Sequence, residues 1–525
     1  MHPCLRVDEI IRFLANELVE LEAERTAVAL ACCCKTFEEP VLDVLWEGQD
    51  RLTPLLKCLP EDTWEVRGGF RFVSYPMAFA PSAVSHQIRK TFKRTPTEAE
   101  WANFRKYALR MRILELDASK DPQISDILLV QQSHTTNDPW LPRLTGFRCE
   151  LVGKKLIPLI PFFLSPRTTD ICIGFDKNTP AAVIGPMIMR LPTLCPDMNQ
   201  IDIFPLPQRD PVITEVVSKM LLSCKRDHLR DFIVDSTLTE EARGVVFRLP
   251  KLSELRTVIE GRTLLPPVRL PNLTDIEIVF DDCFEWLQGL QGMDLEKLRS
   301  VFFYSKSREI GEFLGAFALT TLANDTLLHF HFSTSYAWNP NYRPLLRFTR
   351  LETLIVEFSC DWRCSSSVDD DILGELAEAM PRLEILQLGD PPCYVNTGVT
   401  IKGLTALAHN CRYLRELRIH FQTDSIAEAA ESQETHSHSR HETATRENDC
   451  ALISLEAGET PVSILGSSMV AKGLLQVFPR LRSIESALPL WRKIQRDIRF
   501  LQKASKANHQ RSETPTVLLI PADDY

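Results

Sequence analysis

The sequence predicts an α/β chain: a small three-helix module at the N-terminus, then an irregular solenoid with parallel strands on its concave side and helices outside. Three observations carry that prediction. A short unit, apolar-x-x-apolar-x-apolar, recurs about a dozen times. Helical candidates such as Val368 to Met380 and Ile401 to Asn410 lie between the copies. The first fifty residues follow a different, purely helical periodicity.

In the N-terminal stretch, Ile10, Ile11, Leu14 and Leu18 recur at three- and four-residue intervals and predict a first helix from Asp8 to Leu18. Arg25 to Lys35 predicts a second, with Val28, Ala31 and Cys32 on one side. A third carries Val41, Leu42, Leu45 and Trp46 as its apolar face, with Pro40 near its start, where a missing N–H costs little. Three helices in about forty residues bury too little area to be robust alone. Such a module either packs on the chain beyond Trp46 or offers an apolar face to a partner.

Arg6-Val7-Asp8-Glu9-Ile10, Leu30-Ala31-Cys32-Cys33-Cys34-Lys35-Thr36-Phe37 and Leu42-Asp43-Val44-Leu45-Trp46 together resemble an F-box. The usual form is Leu-Pro-x-Glu-Ile, a Val-Cys-Lys segment ending in an aromatic, and a closing Leu-Trp. Here Arg6-Val7 replaces Leu-Pro and Cys33 replaces the common Val, while the glutamate, Cys-Lys pair, aromatic and final Trp keep their order and spacing. The resemblance covers under a tenth of the chain and implies that Val7, Ile10, Leu14, Leu30, Cys34, Phe37, Leu42 and Trp46 form or support a face for a Skp adaptor. The alternative is an ordinary helical cap whose apolar stripes are core.

Residues 51–106 read as a connecting region and N-terminal cap. It holds a short helix ending before Pro60, a strand at Phe70-Arg71-Phe72-Val73, and a helix opened by a capping box of Thr97 and Glu100. The repeat body is assigned to residues 107–488. Its best copies start at Leu273, Leu298, Leu351, Leu383 and Leu414. Weaker ones start at Met111, Leu144, Thr168, Met198, Leu229, Leu252, Leu327 and Leu481. Successive starts from 111 to 414 lie 21 to 33 residues apart, and several are led by Pro-x-Leu. These features resemble a leucine-rich-repeat solenoid, in which each unit has an apolar edge that only stacking can bury. A doubly wound sheet would want a glycine-rich first turn, and none appears. Residues 423–450, rich in Glu, Ser, Thr, Ala and His, read as a mobile insertion that explains the 67-residue gap between the starts at 414 and 481. Residues 489–525 read as a capping helix, with Leu490, Trp491, Ile494, Ile498 and Leu501 on its apolar face, and a loose tail from Ser505.

Composition narrows the function. A formal charge of −10, from 70 acidic and 60 basic side chains, argues against a nucleic-acid-binding body, which needs basic stripes for phosphates. The longest apolar stretch, Leu156 to Leu164, is nine residues with two prolines and cannot span a bilayer. No secretory signal is evident, so the fifteen cysteines should be reduced thiols and the protein cytoplasmic or nuclear. Phosphate loops, dinucleotide turns, nucleophile elbows and H-E-x-x-H pairs are absent. Cys32, Cys33 and Cys34 point about 100° apart on a helix and cannot all reach one ion, so they read as thiols in a packing surface. Cys360 and Cys364 lack a second ligand pair, His436, His438 and His441 read as a solvated loop, and Asn272 and Asn324 are improbable glycosylation sites. No catalytic residue, cofactor or metal is expected.

The two resemblances together imply a non-catalytic substrate-recognition subunit of a Skp-cullin-F-box ubiquitin ligase, in the domain order of fungal and other eukaryotic F-box proteins with repeat substrate domains. The alternative is a leucine-rich-repeat scaffold without a ligase role. In each repeat the second and third apolar residues should point inward, leaving the alternating positions on the concave face. Over the first seven strands these include Glu115, Asp117, Glu150, Asp170, Asp202, Asp231, Asp235, Glu254, Asp275 and Glu277, opposed by Arg148 and Arg256. From Leu298 onward they are mostly neutral or weakly basic: Ser300, Phe302, Tyr304, His329, His331, Gln387 and Arg418. The expected target therefore carries a basic segment and an apolar or aromatic anchor, with Asp231, Asp275, Glu277, Phe302 and Tyr304 as candidate contacts.

Overall fold

The structure is a computed structural model. It describes residues 7–71, 85–117, 139–207, 210–259, 270–280, 295–307, 310, 312–320, 325–336, 338–358, 368–389, 398–436, 450–458, 460–462, 466–486 and 488–512. The chain divides into two compact units, Met1–Val258 and Ile259–Tyr525.

The first unit opens with helices α1 (Asp8–Glu20), α2 (Glu24–Cys33) and α3 (Lys35–Glu47). Their shared core is Ile11, Ala15, Ala27, Ala31, Phe37, Val41 and Val44. Two expectations change here. In α2 the small Ala27 and Ala31 point inward and let the helices approach closely, so Val28, Cys32 and Cys33 are exposed rather than packed. Pro40 lies in the second turn of α3, not its first, because only Cys34 separates α2 from α3 and the helix starts at once. There it removes a main-chain bond, and its ring is buried.

After α3 the chain forms β1 (Gly48–Gln49), a short helix Thr53–Leu56, and an antiparallel hairpin of β2 (Trp64–Arg71) and β3 (Ser85–Phe92). Only Phe70 and Arg71 of the expected strand fall in β2, since Phe72 and Val73 lie outside the described residues. The next helix, Glu98–Ala108, starts at the expected capping box: Thr97 Oγ1 accepts from Glu100 N, and Glu100 Oε2 accepts from Thr97 N at 2.6 Å. Then come β4 (Ile113–Asp117), β5 (Gly146–Val152), β6 (Asp170–Phe175), β7 (Gln200–Phe204), β8 (Asp231–Thr237) and β9 (Glu254–Ile259). They run parallel in sequence order, with β1 paired on the outer side of β4. Helices Ala181–Leu194, Pro211–Ser223 and Glu240–Val246 alternate with the later strands.

The second unit continues the pattern with β10 (Asp275–Phe280), β11 (Ser300–Ser305), β12 (His329–Thr334), β13 (Thr353–Phe358), β14 (Ile385–Leu388), β15 (Glu416–Arg418), β16 (Ser454–Gly458) and β17 (Ser483–Ser486), again parallel and in order. Burial alternates strictly along β10, β11, β12 and β13. Ile276, Ile278 and Phe280 point inward while Asp275 and Glu277 stay partly open. Helices Phe313–Thr320, Asp370–Ala379, Ile401–Asn410, Thr423–His436, Ser467–Val477 and Pro489–Ser512 complete the unit. The α/β solenoid class rests directly on parallel strands in chain order with helices between them.

The reading of 423–450 as one mobile insertion is corrected over its first half. Thr423–His436 is a helix that packs on Ser467–Val477 and buries Ile426 and Ala430. Of the remainder, residues 437–449 lie outside the described residues. The C-terminal helix buries Trp491, Ile494 and Ile498 as expected, and continues past Ser505 to Ser512. The apolar run at Val517 to Ile520 lies outside the described residues.

Candidate functional site: the outer face of the N-terminal helices and the open sheet face

Helix α1 presents a buried apolar face and, beside it, a second apolar stripe. Ile11 and Ala15 are fully buried, whereas Val7 (41% exposed), Ile10 (38%), Phe13 (61%) and Leu14 (41%) face outward. A single-faced helix would bury one stripe and be polar elsewhere, whereas this second stripe lies outside the shared core of α1–α3 and stays partly open. Of the expected adaptor residues, Val7, Ile10 and Leu14 form the exposed stripe. Leu30 and Cys34 are half-buried against the module core, Phe37 is inside it and Leu42 is half-buried. Trp46 lies against Tyr107 at 4.8 Å between ring centroids. Phe13, Val28 (49%) and Leu21 (73%) are exposed apolar side chains absent from the expected set. Phe13 was findable: three residues beyond Ile10, it is outward as soon as Ile11 and Ala15 are inward.

The opposite side of the module is tied to the first repeat. Arg110, almost buried, pairs with both Glu39 and Asp43 of α3, and Asp43 also pairs with Arg12 of α1. Desolvation of the guanidinium is outweighed by the hydrogen bonds it donates to Glu39 and by the field of Asp43, which leave its pKa above the ordinary value. Arg112 N donates to Glu47 O at 2.8 Å, and Gly48 and Gln49 pair with Ile113 and Leu114. The stripe of α1 takes no part in these contacts.

On the open face of the first unit, the middle row runs Glu115, Arg148, Cys172, Asp202, Ile233, Arg256 from strand to strand. Asp170, Asp231 and Glu254 sit in the row before it. Arg256 Nε pairs with Asp235 at 2.9 Å. Gly146, without a side chain, leaves a cleft of about 220 Å³ lined by Ile113, Glu115, Arg148, Asp170, Cys172 and Gln200. Asp202 accepts a hydrogen bond from the Cys172 thiol at 3.4 Å, and its Oδ1 is buried without a donor among the described residues. Burial raises its carboxyl pKa, and burial together with that carboxylate pushes the Cys172 thiol up to about 12. Such a thiol stays protonated and is a poor nucleophile.

In the second unit, Phe302 meets the His331 ring edge-on at 4.2 Å, and Tyr304 shares a 2.6 Å hydrogen bond with Ser335. The unit is less neutral than expected. Glu357 takes Arg418 at 3.1 Å and His331 at 3.4 Å, and Arg418 also reaches Glu456 at 3.4 Å. The His331 contact is the main reason the Glu357 pKa is lowered. Asp275 and Glu277 lie in register with Ser300 and Phe302. The structure thus brings Asp275, Glu277, Phe302 and Tyr304 together on adjacent strands, while Asp231 belongs to the first unit.

Among the described residues, no group of three or more His, Cys, Asp or Glu could hold a metal ion, and no helix is long and apolar enough to cross a membrane. Cys360, Cys364, Asn324, His438 and His441 lie outside the described residues; Asn272 accepts from Lys297 Nζ at 2.9 Å.

No family model matches the sequence, and no curated protein does. Among solved structures, the chain is similar to one from the crystal structure of the Rad7 and Elc1 complex in yeast. That match has 14% identity and a TM-score of 0.35, and covers 57% of this chain and 77% of that one. It is also similar to the plant peptide hormone receptor RGFR1 in complex with RGF2, at 11% identity and a TM-score of 0.22, over 73% of this chain and 69% of that one. At these scores the likenesses carry no functional argument.

Proposed function

We propose that this chain is the substrate-recognition subunit of a Skp-cullin-F-box ubiquitin ligase. Its N-terminal helices dock the Skp adaptor and its strand faces hold a target protein. The observation that carries this reading is the second apolar stripe of α1: Val7, Ile10, Phe13 and Leu14 are exposed while the module has a complete core without them. Full burial of such a side chain is worth about 1.5–3 kcal/mol; a partner covering the stripe gains the part of this that belongs to the area still open on Val7, Ile10, Phe13 and Leu14. The F-box resemblance of residues 6–46 names the partner.

The chain itself carries out no chemistry in this proposal. The thiols of Cys149, Cys172, Cys195 and Cys411 are each pushed up to about 12, chiefly by burial, which suits packing rather than attack. Transfer of ubiquitin belongs to the recruited components, and this subunit supplies effective concentration by tethering the target. Both sides of such an assembly are cytoplasmic or nuclear.

The contacts of Arg110 with Glu39 and Asp43, and of Trp46 with Tyr107, favour a second reading in which the module only caps the repeats of a binding scaffold. Capping uses the α3 side and docking the α1 side, so the two roles are compatible. Co-purification with a Skp adaptor separates ligase subunit from scaffold: association supports the first, and failure of purified chain and adaptor to associate removes it.

A further inference from the structure

The C-terminal helix, Pro489–Ser512, follows the last strand of the second unit, and two anchors fix its rotation. Trp491 Nε1 donates to Thr460 O at 2.9 Å, and its ring meets Phe421 edge-on with centroids 5.8 Å apart. About three turns on, Gln502 Nε2 donates to Pro479 O at 3.2 Å and Leu481 O at 2.8 Å. Trp491, Ile494 and Ile498 are buried, so the opposite side of the helix faces out. Counting about 100° per residue from Trp491, Arg499, Arg492, Lys503 and Arg496 fall within one sector of about 60° on that outer side. Phe500 follows about 40° further round and Lys493 about 20° beyond it. All six side chains are exposed, Phe500 at 72%.

A terminal repeat needs a cover with a polar outer side, and solvation alone is served by charges of mixed sign. This face has one sign. Residues 466–504 hold eight basic and two acidic side chains, in a chain whose formal charge is −10. Asp497 is the one carboxylate from Pro489 to Ser512, and it lies half-buried outside the basic sector. Among the described residues, none of the five cations has an ion pair and Phe500 has no ring contact. Arg492 and Arg496, Arg496 and Arg499, and Arg499 and Lys503 are each three or four residues apart, so they repel and weaken the helix that carries them. The stripe therefore costs the fold stability rather than supplying it.

We infer that this face docks the chain on an anionic lipid surface, with Arg492, Arg496, Arg499 and Lys503 on the headgroups and Phe500 entering the boundary beneath them. The face is a convex ridge one helix wide and about 16 Å long from Arg492 to Lys503, with no wall to enclose a peptide. A plane of headgroups reaches all its cations at once, and aromatic rings favour the depth just below that plane. Nucleic acid phosphates would match the cations but leave Phe500 in water. The attraction of Lys and Arg to an anionic leaflet fades within a Debye length, so carboxylates more than about 10 Å from the surface oppose it weakly. The contact is peripheral and independent of the α1 stripe, and it is tested without the adaptor.

The test sediments the full chain with phosphatidylcholine vesicles, with the same vesicles containing about a quarter phosphatidylserine, and with duplex DNA and polyglutamate as soluble polyanions. Binding to the phosphatidylserine vesicles alone is expected, with a loss of about tenfold or more in Arg496→Gln/Arg499→Gln. Phe500→Ala keeps every charge and should weaken vesicle binding about threefold or more, because less apolar surface leaves water. The altered side chains are exposed, so both variants should melt with the wild type. Should the double variant melt early, Phe500→Ala and the loss of wild-type binding at about 0.5 M salt carry the test. No binding to phosphatidylserine vesicles, or binding unchanged in the folded variants, overturns the proposal. So does binding of duplex DNA or polyglutamate without binding of vesicles, which would assign the face to a nucleic acid or an acidic protein.

Discussion

Asp202 sits where its carboxylate loses water without gaining a full set of donors: one oxygen takes the Cys172 thiol and the other is buried without a donor among the described residues. Burial therefore raises its pKa in the folded state. At low pH the group is protonated both folded and unfolded, so it has no effect. Stability is lost as pH rises from the unfolded pKa through the folded one, because ionisation is then easier in the unfolded chain. Asp202→Asn keeps an oxygen for the thiol and removes the charge. It should raise Tm at neutral pH, with the gain disappearing below about pH 3.5, where the carboxyl is protonated in either state. Thermal melts at the two pH values check this, and a variant that is less stable at neutral pH would contradict it. Nothing in the sequence marked Asp202 apart from its acidic neighbours, since burial depends on the strands on either side.

At the scale of the element, the repeat unit was legible in every copy but the one at β16. Each of the thirteen starts, from Met111 to Leu481, is followed two residues later by the first residue of a strand, as with Leu273 and Asp275 or Leu298 and Ser300. The reason is physical: the leading apolar residue turns into the core and the next two apolar positions are inward strand residues. Strand β16 was missed because its third apolar position is the small Ala457, so the unit at Leu452 looks incomplete. The helix before it, Thr423–His436, was missed because its polar composition hides two inward residues, Ile426 and Ala430. The capping box at Thr97 was readable from two residues, whereas the choice between Val28 and Ala27 as the inward face of α2 depends on how closely α1 and α3 approach. Gly473 shows how tight the later packing is, because a Cβ there would meet Ile426 Cγ2 at 2.5 Å and its carbonyl oxygen at 3.0 Å. Gly473→Ala should cost about 1–3 kcal/mol as overpacking. Ile426→Ala should cost about 2–4 kcal/mol as a cavity. The double variant should cost less than the sum, because the truncated side chain makes room for the new methyl, although the carbonyl contact persists. Denaturant melts of the four proteins test this, and strict additivity would show that the two residues do not share the space.

For the molecule as a whole, charge is distributed by region. Carboxylates dominate the open strand face of the first unit and Asp275 and Glu277 of the second, whereas the C-terminal helix is basic. A target with a basic segment is the complement of the first region, and its capture should weaken as salt is raised, since attraction between exposed charges is screened over about 8–10 Å. Reversing Asp275 and Glu277 to Lys, or Asp231 to Lys in a separate variant, should weaken capture of such a target and leave adaptor association unchanged; unchanged capture in a variant would move the target site off the strands it alters. The acidic face and the opposing Arg256 were visible in the sequence, but the pairing of Arg256 with Asp235, and of Arg418 with Glu357 on the later strands, was not, because those partners sit on different strands. The central claim is that the outer stripe of α1 docks an adaptor while α3 holds the module on the repeats. The most direct measurement is a calorimetric titration of a purified Skp adaptor into the full chain and into Ile10→Asp/Leu14→Asp, each with its thermal melt. Binding by the wild type, a loss of about 2 kcal/mol or more in the variant, and superimposable melts are the predicted result. Equal binding by a folded variant, or no binding by the wild type, would contradict it.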